Sequence, residues 1–485
     1  MNNRNIFLIM LVLFSFLLCS CSEAKVEYEN ILISGDIKEN IDFNKLIISL
    51  ESEDIEVNGD KVIAYDFENV VNLFNSIYQK NNIYLVALDG FSNKFSSNSI
   101  SDTYLFYNEV NGWCYYSEKH PVNSRIKNIK KIIIVNDTDE INYEFGFNII
   151  KNDETIHYDI SELLLNKSSI YYHLDGVTKK DNNELGVMKK KEIISFTDLG
   201  LEDIKFLLMS SEGNHEYLKS DKGYLVIDGS KVNYIDKKNS KVINDVKGVM
   251  ENYPAISIMD VYSDSLHYIE KDIPIMILFI DGISYFQYET ILKKYPDLLI
   301  SNIENVKKAT SVFKPVTNAG FAAMITGKTP IENGILNRDY RKLLVPSIFD
   351  STANALLIEG NIKILDLAVE TILNLDKNEN GYTDDEIFES AIKELDKRDN
   401  ISLFLVHFHG FDDNGHKYGA TDSKTIDYIK TIDEYIEELS SGWNGKIIMT
   451  ADHGMHDFLD KGTHGEFRAE DLFVPYVIFD GGLYE

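Results

Sequence analysis

Carboxylate and imidazole side chains stand next to each other near the C-terminus, in the stretch 446–467. The apolar run Ile447–Met449 is followed there by Asp452 and His453, and a further histidine, His464, comes after a turn-rich spacer. Aspartate and histidine at the end of a buried strand are ligand types that divalent transition metals take in proteins. This stretch therefore predicts a metal centre.

A second pair of the same kind, Asp412 and His416, lies in the segment HFHGFDDNGHKYG. Because a glycine separates the two residues, we expect both to reach one ion from a loop. The chain has 11 histidines, and six of them lie in these two stretches: His407, His409, His416, His453, His456 and His464. Such clustering favours metal binding over structural burial. We interpret His407 and His456 as residues that do not bind metal. His409 is intermediate between a ligand and such a residue, because it lies beside the site without the spacing of a ligand.

Two residues earlier in the chain add an acid and a hydroxyl. Asp281 directly follows the apolar run IMILFI, and Thr317 lies in KPVTNAG, where Pro315 and Gly320 bracket a turn before a predicted helix. Backbone N–H groups at a helix N-terminus stabilise a developing oxyanion, and a metal-bound hydroxyl loses its proton more easily. Thr317 is thus a candidate nucleophile, with a plain helix N-cap as the alternative.

These residues need a fold that gathers the ends of separate strands. From Ile273 onward, strand and helix patterns alternate, which predicts an α/β fold: a doubly wound, mostly parallel sheet with helices on both faces. Its strands are unbroken apolar runs at 275–280, 401–408 and 446–450. Ligands gather beyond the carboxyl ends of such strands. Asp281, Asp412 and Asp452 each follow a strand in this position.

Helices are predicted between these strands. Thr383 and Glu386 have the spacing of a capping box that opens a helix ending near Lys397. Isoleucines and a leucine at helical spacing over 426–439 indicate the buried stripe of another helix.

The front half of the chain differs from this pattern. Residues 26–265 contain short β-like runs separated by Asn, Asp, Gly and Ser, typical of sandwich-like or α+β modules. Residues 83–95 and 204–217 both run from an apolar strand through an acidic turn to an aromatic residue, which suggests a repeat. We therefore expect β-rich modules at 21–150 and 151–265, a polar link at 262–272, and a catalytic domain at 271–485.

The first 20 residues have the pattern of a lipoprotein signal peptide. Arg4 precedes the apolar run Ile6–Leu18, whose 13 residues fall short of the roughly 20 that span a bilayer. The run ends in Leu-Cys-Ser-Cys, which resembles a bacterial lipobox with Cys21 as the lipidated residue. An ordinary signal peptide is the alternative. We expect an exported protein, anchored by lipid to the outer face of the cytoplasmic membrane or held in the periplasm or outer membrane. Only Cys114 would then remain, which excludes a disulfide framework.

Composition narrows the class of partner. The formal net charge of −30 argues against nucleic acid and against a basic membrane-surface helix. A hydrophobic content of 44% is that of a globular protein. An anionic substrate remains compatible, because bound cations reverse the local potential.

Taken together, these motifs resemble the alkaline phosphatase superfamily, in its type I phosphodiesterase/nucleotide pyrophosphatase branch, from Ile273 to the C-terminus. The segment HFHGFDDNGHKYG and the close placement of His464 after His453 are also similar to GPI ethanolamine-phosphate transferases. The resemblance implies two divalent metal ions, most simply zinc. One would be held by Asp281, Thr317, Asp452 and His453, and the other by Asp412, His416 and His464. It also implies that Asn337 contacts the phosphate.

The resemblance further implies a hydrolase of phosphodiester or pyrophosphate bonds that forms a phospho-threonine intermediate on Thr317. Its substrate would be a phosphorylated small molecule, a nucleotide, or a lipid or glycan headgroup. Two alternatives stay open: a phosphoethanolamine- or phosphoglycerol-type transferase, and a surface binding protein with a degenerate enzyme domain.

Overall fold

A computed structural model describes residues 28–180, 183–398 and 400–482, apart from the side chains of residues 173–175. The predicted signal peptide and Cys21 lie outside these residues. The chain divides into two compact units, residues 1–138 and 139–485. Within the described residues, no helix is both long and apolar enough to cross a membrane.

The first unit is β-rich. Its core gathers buried aromatic and aliphatic side chains, including Phe43, Phe67, Trp113 and Tyr115. Cys114 is a free, buried thiol in this unit, and burial raises its pKa. The strands are Leu32–Gly35, Glu53–Val57, Asp60–Asp66, Asn81–Ala87, Ser92–Ser96, Thr103–Asn108, Gly112–Ser117 and Ile129–Asn136, and the α-helices are Phe43–Ile48 and Phe67–Asn72.

The second unit opens with another β-rich segment. Its strands are Phe147–Lys151, Glu154–Tyr158, Ser169–Lys180, Asn183–Ile193, Lys205–Ser210, His215–Lys219, Gly223–Asp228, Lys231–Asp236, Val242–Ile243 and Val246–Glu251. A short helix at Ile160–Glu162 is continued by a π-helical turn at Leu163–Lys167. The first of these strands, Phe147–Lys151, crosses residue 150. The second β-rich segment therefore begins before residue 151, where we expected it to begin.

The two β-rich segments share an order of strand pairing. In the first segment, the opening strand Leu32–Gly35 is parallel to the closing strand Ile129–Asn136. The closing strand is also antiparallel to Asn81–Ala87, which forms a hairpin with Ser92–Ser96. In the second, the opening and closing strands are again parallel, and the closing strand is antiparallel to Lys205–Ser210, which forms a hairpin with His215–Lys219. The repeat itself stays a prediction.

From residue 256 onward the protein has the predicted α/β fold, built on an eight-stranded sheet. In spatial order its strands are Ile256–Ser257, Lys307–Thr310, Phe473–Asp480, Lys446–Thr450, Ile275–Ile280, Leu403–Phe408, Ala355–Glu359 and Glu370–Leu373. Phe473–Asp480 is antiparallel to both of its neighbours, and the other neighbouring pairs are parallel. Every residue of Ile275–Ile280 is buried, as the unbroken apolar run predicted for a strand covered on both faces.

Helices connect these strands. They are Asp260–Ile269, Tyr285–Lys294, Leu299–Asn302, Thr317–Thr326, Pro330–Asn333, Asp384–Lys397, Gly410–Tyr418, Ser423–Asp427, Ile429–Ser441 and Ala469–Leu472, and a small hairpin joins His456–Phe458 to Lys461–Thr463. The predicted stripe at 426–439 is buried as expected.

Two local predictions in this region were wrong. The segment 262–272, expected as a polar link, is mostly the helix Asp260–Ile269, whose buried side includes Val261 and Ser265. The capping box at Thr383 does not form: Thr383 is the N-cap residue, but its side chain makes no capping hydrogen bond. The Glu386 carboxylate instead accepts a hydrogen bond from the Lys377 backbone N–H.

The second β-rich segment shares a core with the α/β sheet. Leu207, Met209 and Met250 of the segment form one cluster with Phe313 and Phe467. The Phe313 N–H also donates to His215 Nε2 at 3.2 Å. Since Phe313 precedes Thr317 and Phe467 follows His464, this segment supports both chain stretches that carry those candidate site residues.

Candidate metal centre

Asp281 and Asp412 come together through a glycine. Asp281 follows the central strand Ile275–Ile280, and Gly282 has a φ of 75°, in the left-handed region. A Cβ added to Gly282 would lie 2.6 Å from Asp412 Oδ1. Only glycine therefore allows the two acidic residues to approach so closely.

Asp412 and His416 lie on a helix, Gly410–Tyr418, and our expectation of a loop was wrong. Four residues apart, they share one face of that helix. His416 Nε2 is 3.3 Å from Asp412 Oδ2. Gly415 suits close packing rather than a turn, because a Cβ there would lie 2.3 Å from Met455 Sδ.

Asp452, His453 and His464 complete the cluster. His453 Nε2 is 3.2 Å from Asp452 Oδ2 and 3.5 Å from Asp281 Oδ1. The His464 ring stacks on that of His453 with centroids 3.7 Å apart, and its Nε2 lies 3.9 Å from Asp412 Oδ1. All six predicted carboxylate and imidazole ligands are therefore brought together.

The three histidines share a hydrogen-bonding arrangement. In each, Nδ1 lies within hydrogen-bonding distance of a backbone carbonyl oxygen, so that Nδ1 donates and Nε2 keeps its lone pair. The pairs are His416 with Gly462 at 3.1 Å, His453 with Gly454 at 3.0 Å, and His464 with Pro315 at 2.9 Å. Such outer hydrogen bonds orient metal-binding imidazoles.

The carboxylates also present free oxygens. Asp281 Oδ1, Asp412 Oδ1 and Asp452 Oδ2 are buried and have no hydrogen-bond partner among the described residues. Ligand atoms of Asp281, Asp412 and His453 lie within 4.8 Å of one another, as do those of Asp412, His416 and His464. Buried, unpaired carboxylates are costly unless a cation compensates them. The residues therefore fit divalent cations with mixed oxygen and nitrogen ligands.

The pKa values reflect this crowding. Burial, and then the charges of Asp281 and Asp412, raises the pKa of Asp452 well above its usual value. Burial opposes ionisation of Asp281 too, but hydrogen bonds from His407 and His409 outweigh it and hold that pKa well below normal. Burial lowers the pKa of His464 to about 4. His464 is thus neutral at pH 7, the form that binds metal.

Thr317 is the first residue of the helix Thr317–Thr326 and does not act as its N-cap, a position that Val316 occupies. Its Oγ1 lies 3.4 Å from His453 Nε2. Gly320 allows the helix to approach the centre, because a Cβ there would lie 2.7 Å from Asp452 Cβ. The hydroxyl is therefore placed beside the carboxylate and imidazole cluster.

Three groups around Asp281 were missed or undervalued in the sequence. Glu359 Oε1 lies 2.9 Å from His407 Nδ1 and 2.7 Å from His409 Nε2. His407 Nε2 in turn lies 3.3 Å from Asp281 Oδ2. Glu359 is the last residue of the strand Ala355–Glu359. The sequence signal that identified the aspartates, an acidic residue at the end of a parallel strand, could therefore have identified Glu359 as well. His456 lies apart from this network and pairs with Asp471 at 2.7 Å.

A cavity of about 320 Å³ opens beside the cluster. Asn337, Arg338 and Lys314 line it together with His416 and His464. Arg338 Nη2 lies 2.6 Å from His464 Nε2. The Asn337 carboxamide oxygen accepts a hydrogen bond from the Asp339 N–H at 2.8 Å. The cavity therefore places two cationic groups, one amide and the Asp339 carboxylate next to the candidate ligands.

Residues 365–475 match the family model of type I phosphodiesterase / nucleotide pyrophosphatase. The match contains Asp412, His416, Asp452, His453 and His464, and leaves Asp281 and Thr317 outside.

Curated relatives match a similar part of the chain. GPI ethanolamine phosphate transferase 1 of Yarrowia lipolytica is 32% identical over 115 residues, which cover 20% of this chain and 12% of that protein. The protein of the same name from Mus musculus is 33% identical over 89 residues, covering 17% of this chain and 9% of that one. The chain thus spans about a tenth of the length of these relatives.

Solved structures resemble the chain only loosely. A phosphonoacetate hydrolase from Sinorhizobium meliloti 1021 is 16% identical, with 38% of this chain and 57% of that one covered and a TM-score of 0.31. Murine ectonucleotide pyrophosphatase / phosphodiesterase 5 is 18% identical, with the same coverage and a TM-score of 0.29. At these scores the likeness adds nothing to the conclusions drawn from the site.

Proposed function

We propose that the protein is a metal-dependent hydrolase of phosphoric esters, acting on phosphodiester or pyrophosphate bonds. One observation carries the proposal. Three buried carboxylates with free oxygens and three imidazoles whose Nδ1 atoms face backbone carbonyl oxygens converge beside the Thr317 hydroxyl. The family match over 365–475 supports the same type of chemistry.

The donor set favours zinc. Asp281, Asp452 and His453 would hold one ion, and Asp412, His416 and His464 the other, with Thr317 next to the first. Imidazole together with carboxylate is a zinc-type ligand set, whereas Mg²⁺ and Ca²⁺ prefer oxygen alone. When bound, the ions would make the threonine hydroxyl more acidic and neutralise charge on the phosphoryl oxygens.

The chain's own residues would carry out the transfer. Thr317 gives up its hydroxyl proton, and its Oγ1 forms a bond to phosphorus while the bond from phosphorus to the leaving oxygen breaks; that oxygen takes the electron pair and a proton, and the phosphoryl group stays on Thr317. Water then attacks phosphorus, and Thr317 Oγ1 leaves and regains a proton, while the second proton of the water passes to solvent. The first N–H groups of a helix have no partner within it, so the N-terminus of Thr317–Thr326 offers donors to the phosphoryl oxygens. Arg338 and Lys314 supply positive charge in the adjoining cavity, despite the acidic surface.

Thr317→Ala and Thr317→Ser, each loaded with zinc, test the nucleophile against a panel of p-nitrophenyl phosphate mono- and diesters. We expect Thr317→Ala to lose at least about 100-fold in kcat, on the scale of losing a group that acts only in the transition state. Thr317→Ser keeps a hydroxyl and should retain more activity. The metal content and melting temperature of each variant are also measured. Values equal to those of the wild type show that a loss of activity comes neither from lost metal nor from unfolding. Equal turnover by wild type and Thr317→Ala would refute the mechanism.

A transferase is the second candidate, because the matched relatives are named GPI ethanolamine phosphate transferase 1. In this version an alcohol of a sugar or lipid replaces water in the second step. Adding an acceptor alcohol to a p-nitrophenyl ester of phosphoethanolamine distinguishes the two. A transferase would release p-nitrophenol faster with acceptor present and yield a phosphorylated acceptor, whereas a hydrolase would not respond. A binding protein with a degenerate enzyme domain would turn over neither substrate and hold no zinc.

The lipid anchor is also a proposal, motivated by the apolar run and the lipobox-like end of residues 1–21. Labelled palmitate should enter the wild-type protein when it is expressed in a bacterial host, and Cys19→Ala should be labelled equally. Loss of the label in Cys21→Ala is the expected result. Labelling that persists in Cys21→Ala would exclude this site.

A further inference from the structure

A loop outside the catalytic cluster carries an alternating pattern of oxygen ligands. Residues 376–386 read DKNENGYTDDE, with side-chain oxygens at the first, third and fifth positions and glycine at the sixth. This is the opening of the pattern D-x-[DN]-x-[DN]-G found in calcium-binding loops. Gly381 has a φ of 92°, which is the conformation that the sixth position of such a loop requires.

The loop is folded around its first aspartate. The Asp376 carboxylate accepts hydrogen bonds from the N–H groups of Asn380 at 3.1 Å and Gly381 at 2.9 Å. The Asn378 oxygen accepts from the Asn380 N–H at 3.0 Å, and the Asn380 oxygen accepts from the Tyr382 N–H at 2.8 Å. These bonds explain the shape of the loop, but by themselves they do not indicate a ligand.

An independent observation comes from two carboxylates that face the loop. Glu386 is only 5% exposed, and while its Oε1 accepts from the Lys377 N–H at 2.7 Å, its Oε2 has no hydrogen-bond partner among the described residues. Asp385 Oδ2 accepts from the side-chain amides of Asn378 and Asn380, and its buried Oδ1 likewise has no partner. A carboxylate left buried and incompletely paired is expensive in free energy. Nothing in the proposed catalytic mechanism uses these groups.

We propose that the Asp376–Glu386 loop binds one calcium ion. The proposed ligands are Asp376, Asn378, Asn380, the backbone carbonyl of Tyr382, Asp385 and Glu386. All six offer oxygen: the carboxamide oxygens of Asn378 and Asn380, which accept from the Asn380 and Tyr382 N–H groups, each keep a second lone pair for the ion, and six oxygens fall within the coordination range of calcium. The absence of sulfur and imidazole from this ligand set argues against zinc.

The loop departs from the common pattern at its end. In that pattern the bidentate glutamate is the twelfth residue, which here is the buried Ile387. The acidic residue stands at the eleventh position instead, and the helix that follows begins at Asp384. Two of the first three ligands are asparagines, so the low charge predicts weak binding, with a dissociation constant of about 10⁻⁴ to 10⁻³ M.

The loop is joined to the helix that carries Asp412 and His416. The Tyr382 hydroxyl donates to Asn414 Oδ1 at 2.8 Å. The Asp384 carboxylate accepts from the N–H groups of His409 at 2.8 Å and Gly410 at 2.9 Å, where that helix begins. An ion that rigidifies the loop would therefore also stabilise the N-terminus of this helix.

Calcium chloride titrated calorimetrically into the zinc-loaded protein tests the site. Four variants accompany the wild type. Asp376→Asn/Asp385→Asn removes two charged ligands, Asn380→Ala removes one exposed ligand with little risk to folding, and Asp396→Asn makes the same type of charge change at an exposed position of the following helix. Asp412→Asn alters the candidate metal centre but not the loop.

We expect the wild type, Asp396→Asn and Asp412→Asn to bind one calcium ion. The double variant and Asn380→Ala should bind at least tenfold more weakly. Hydrogen exchange of residues 410–418 should slow with calcium in the wild type and not in the double variant. No binding by the wild type at about 10 mM calcium, unchanged affinity in both loop variants, or loss of binding in Asp412→Asn alone would each overturn the proposal. The result does not depend on the reaction catalysed, since binding is measured without substrate.

Discussion

Replacement of Glu359 by glutamine tests whether the buried charge network of Glu359, His407 and His409 stabilises the fold. Glu359 is fully buried and lies within 3 Å of both His407 and His409. Burial alone would raise the pKa of this carboxyl, but the charges and hydrogen bonds of the two imidazoles outweigh it and lower the pKa from 4.5 to about 2. Glutamine keeps the shape of the side chain and removes its charge.

The expected loss of stability follows from that pKa. A fall from 4.5 to about 2 corresponds to about 3 kcal/mol of unfolding free energy at pH 7, because each pH unit of difference is worth about 1.4 kcal/mol. The cost of breaking a buried ion pair has the same size. Folding lowers the pKa of Glu359. Its contribution to the unfolding free energy is therefore complete when the pH is above the pKa of the unfolded state, and it is lost as the pH falls through the pKa of the folded state. The difference between wild type and Glu359→Gln should therefore shrink between pH 4.5 and 2.

Urea unfolding followed by tryptophan fluorescence measures this difference. Trp443 is buried in the core of the α/β sheet, and a Trp113→Phe background leaves it as the only tryptophan. Glu389→Gln makes the same substitution on the exposed side of the helix Asp384–Lys397 and should change the unfolding free energy by less than about 0.5 kcal/mol. A similarly small change in Glu359→Gln at pH 7 would refute the view that this network stabilises the fold.

Three further predictions concern the metal centre. His416→Ala should reduce the bound zinc from two equivalents to one, measured by mass spectrometry of metals after dialysis, because His416 groups only with Asp412 and His464; two retained equivalents would contradict the ligand assignment. Gly320→Ala should lower kcat about 100-fold, since its Cβ would displace either Asp452 or the helix that begins at Thr317; wild-type kcat in a folded variant would show that this close approach does not matter. Dialysis against EDTA should abolish hydrolysis and lower the melting temperature, with zinc restoring both; activity that survives complete metal removal would exclude a metal-dependent reaction.

Much of the α/β sheet was predictable because a strand covered on both faces must be apolar along its whole length. Ile275–Ile280 and Lys446–Thr450 have the bounds expected from their apolar runs. Once the strands are parallel, acidic residues that follow them must share one edge of the sheet. This is why the sequence predicted that Asp281 and Asp452 lie in one site. The Gly282 N–H, next to Asp281, indeed donates to Asp452 Oδ1, although 170 residues separate Gly282 and Asp452.

Other features could not be predicted because their causes are contacts with distant residues. The segment HFHGFDDNGHKYG has the composition of a loop, yet most of it is the helix Gly410–Tyr418. Gly415 of this helix makes room for Met455. Thr383 and Glu386 have the spacing of a capping box, but Glu386 instead turns back to the loop before the helix. In each case a tertiary partner outweighs a local preference, which is worth only about 1 kcal/mol.

The amino-acid sequence by itself determined which residue types are available for chemistry and which strands present them, since both depend on local composition and periodicity. The tertiary structure alone decided that Glu359, His407 and His409 surround Asp281, and that three imidazoles turn the same nitrogen toward the carboxylates. Those arrangements are set by backbone carbonyls and buried charges far away in the chain. No local pattern records them, because the free energy that fixes each side chain comes from the groups that folding brings beside it.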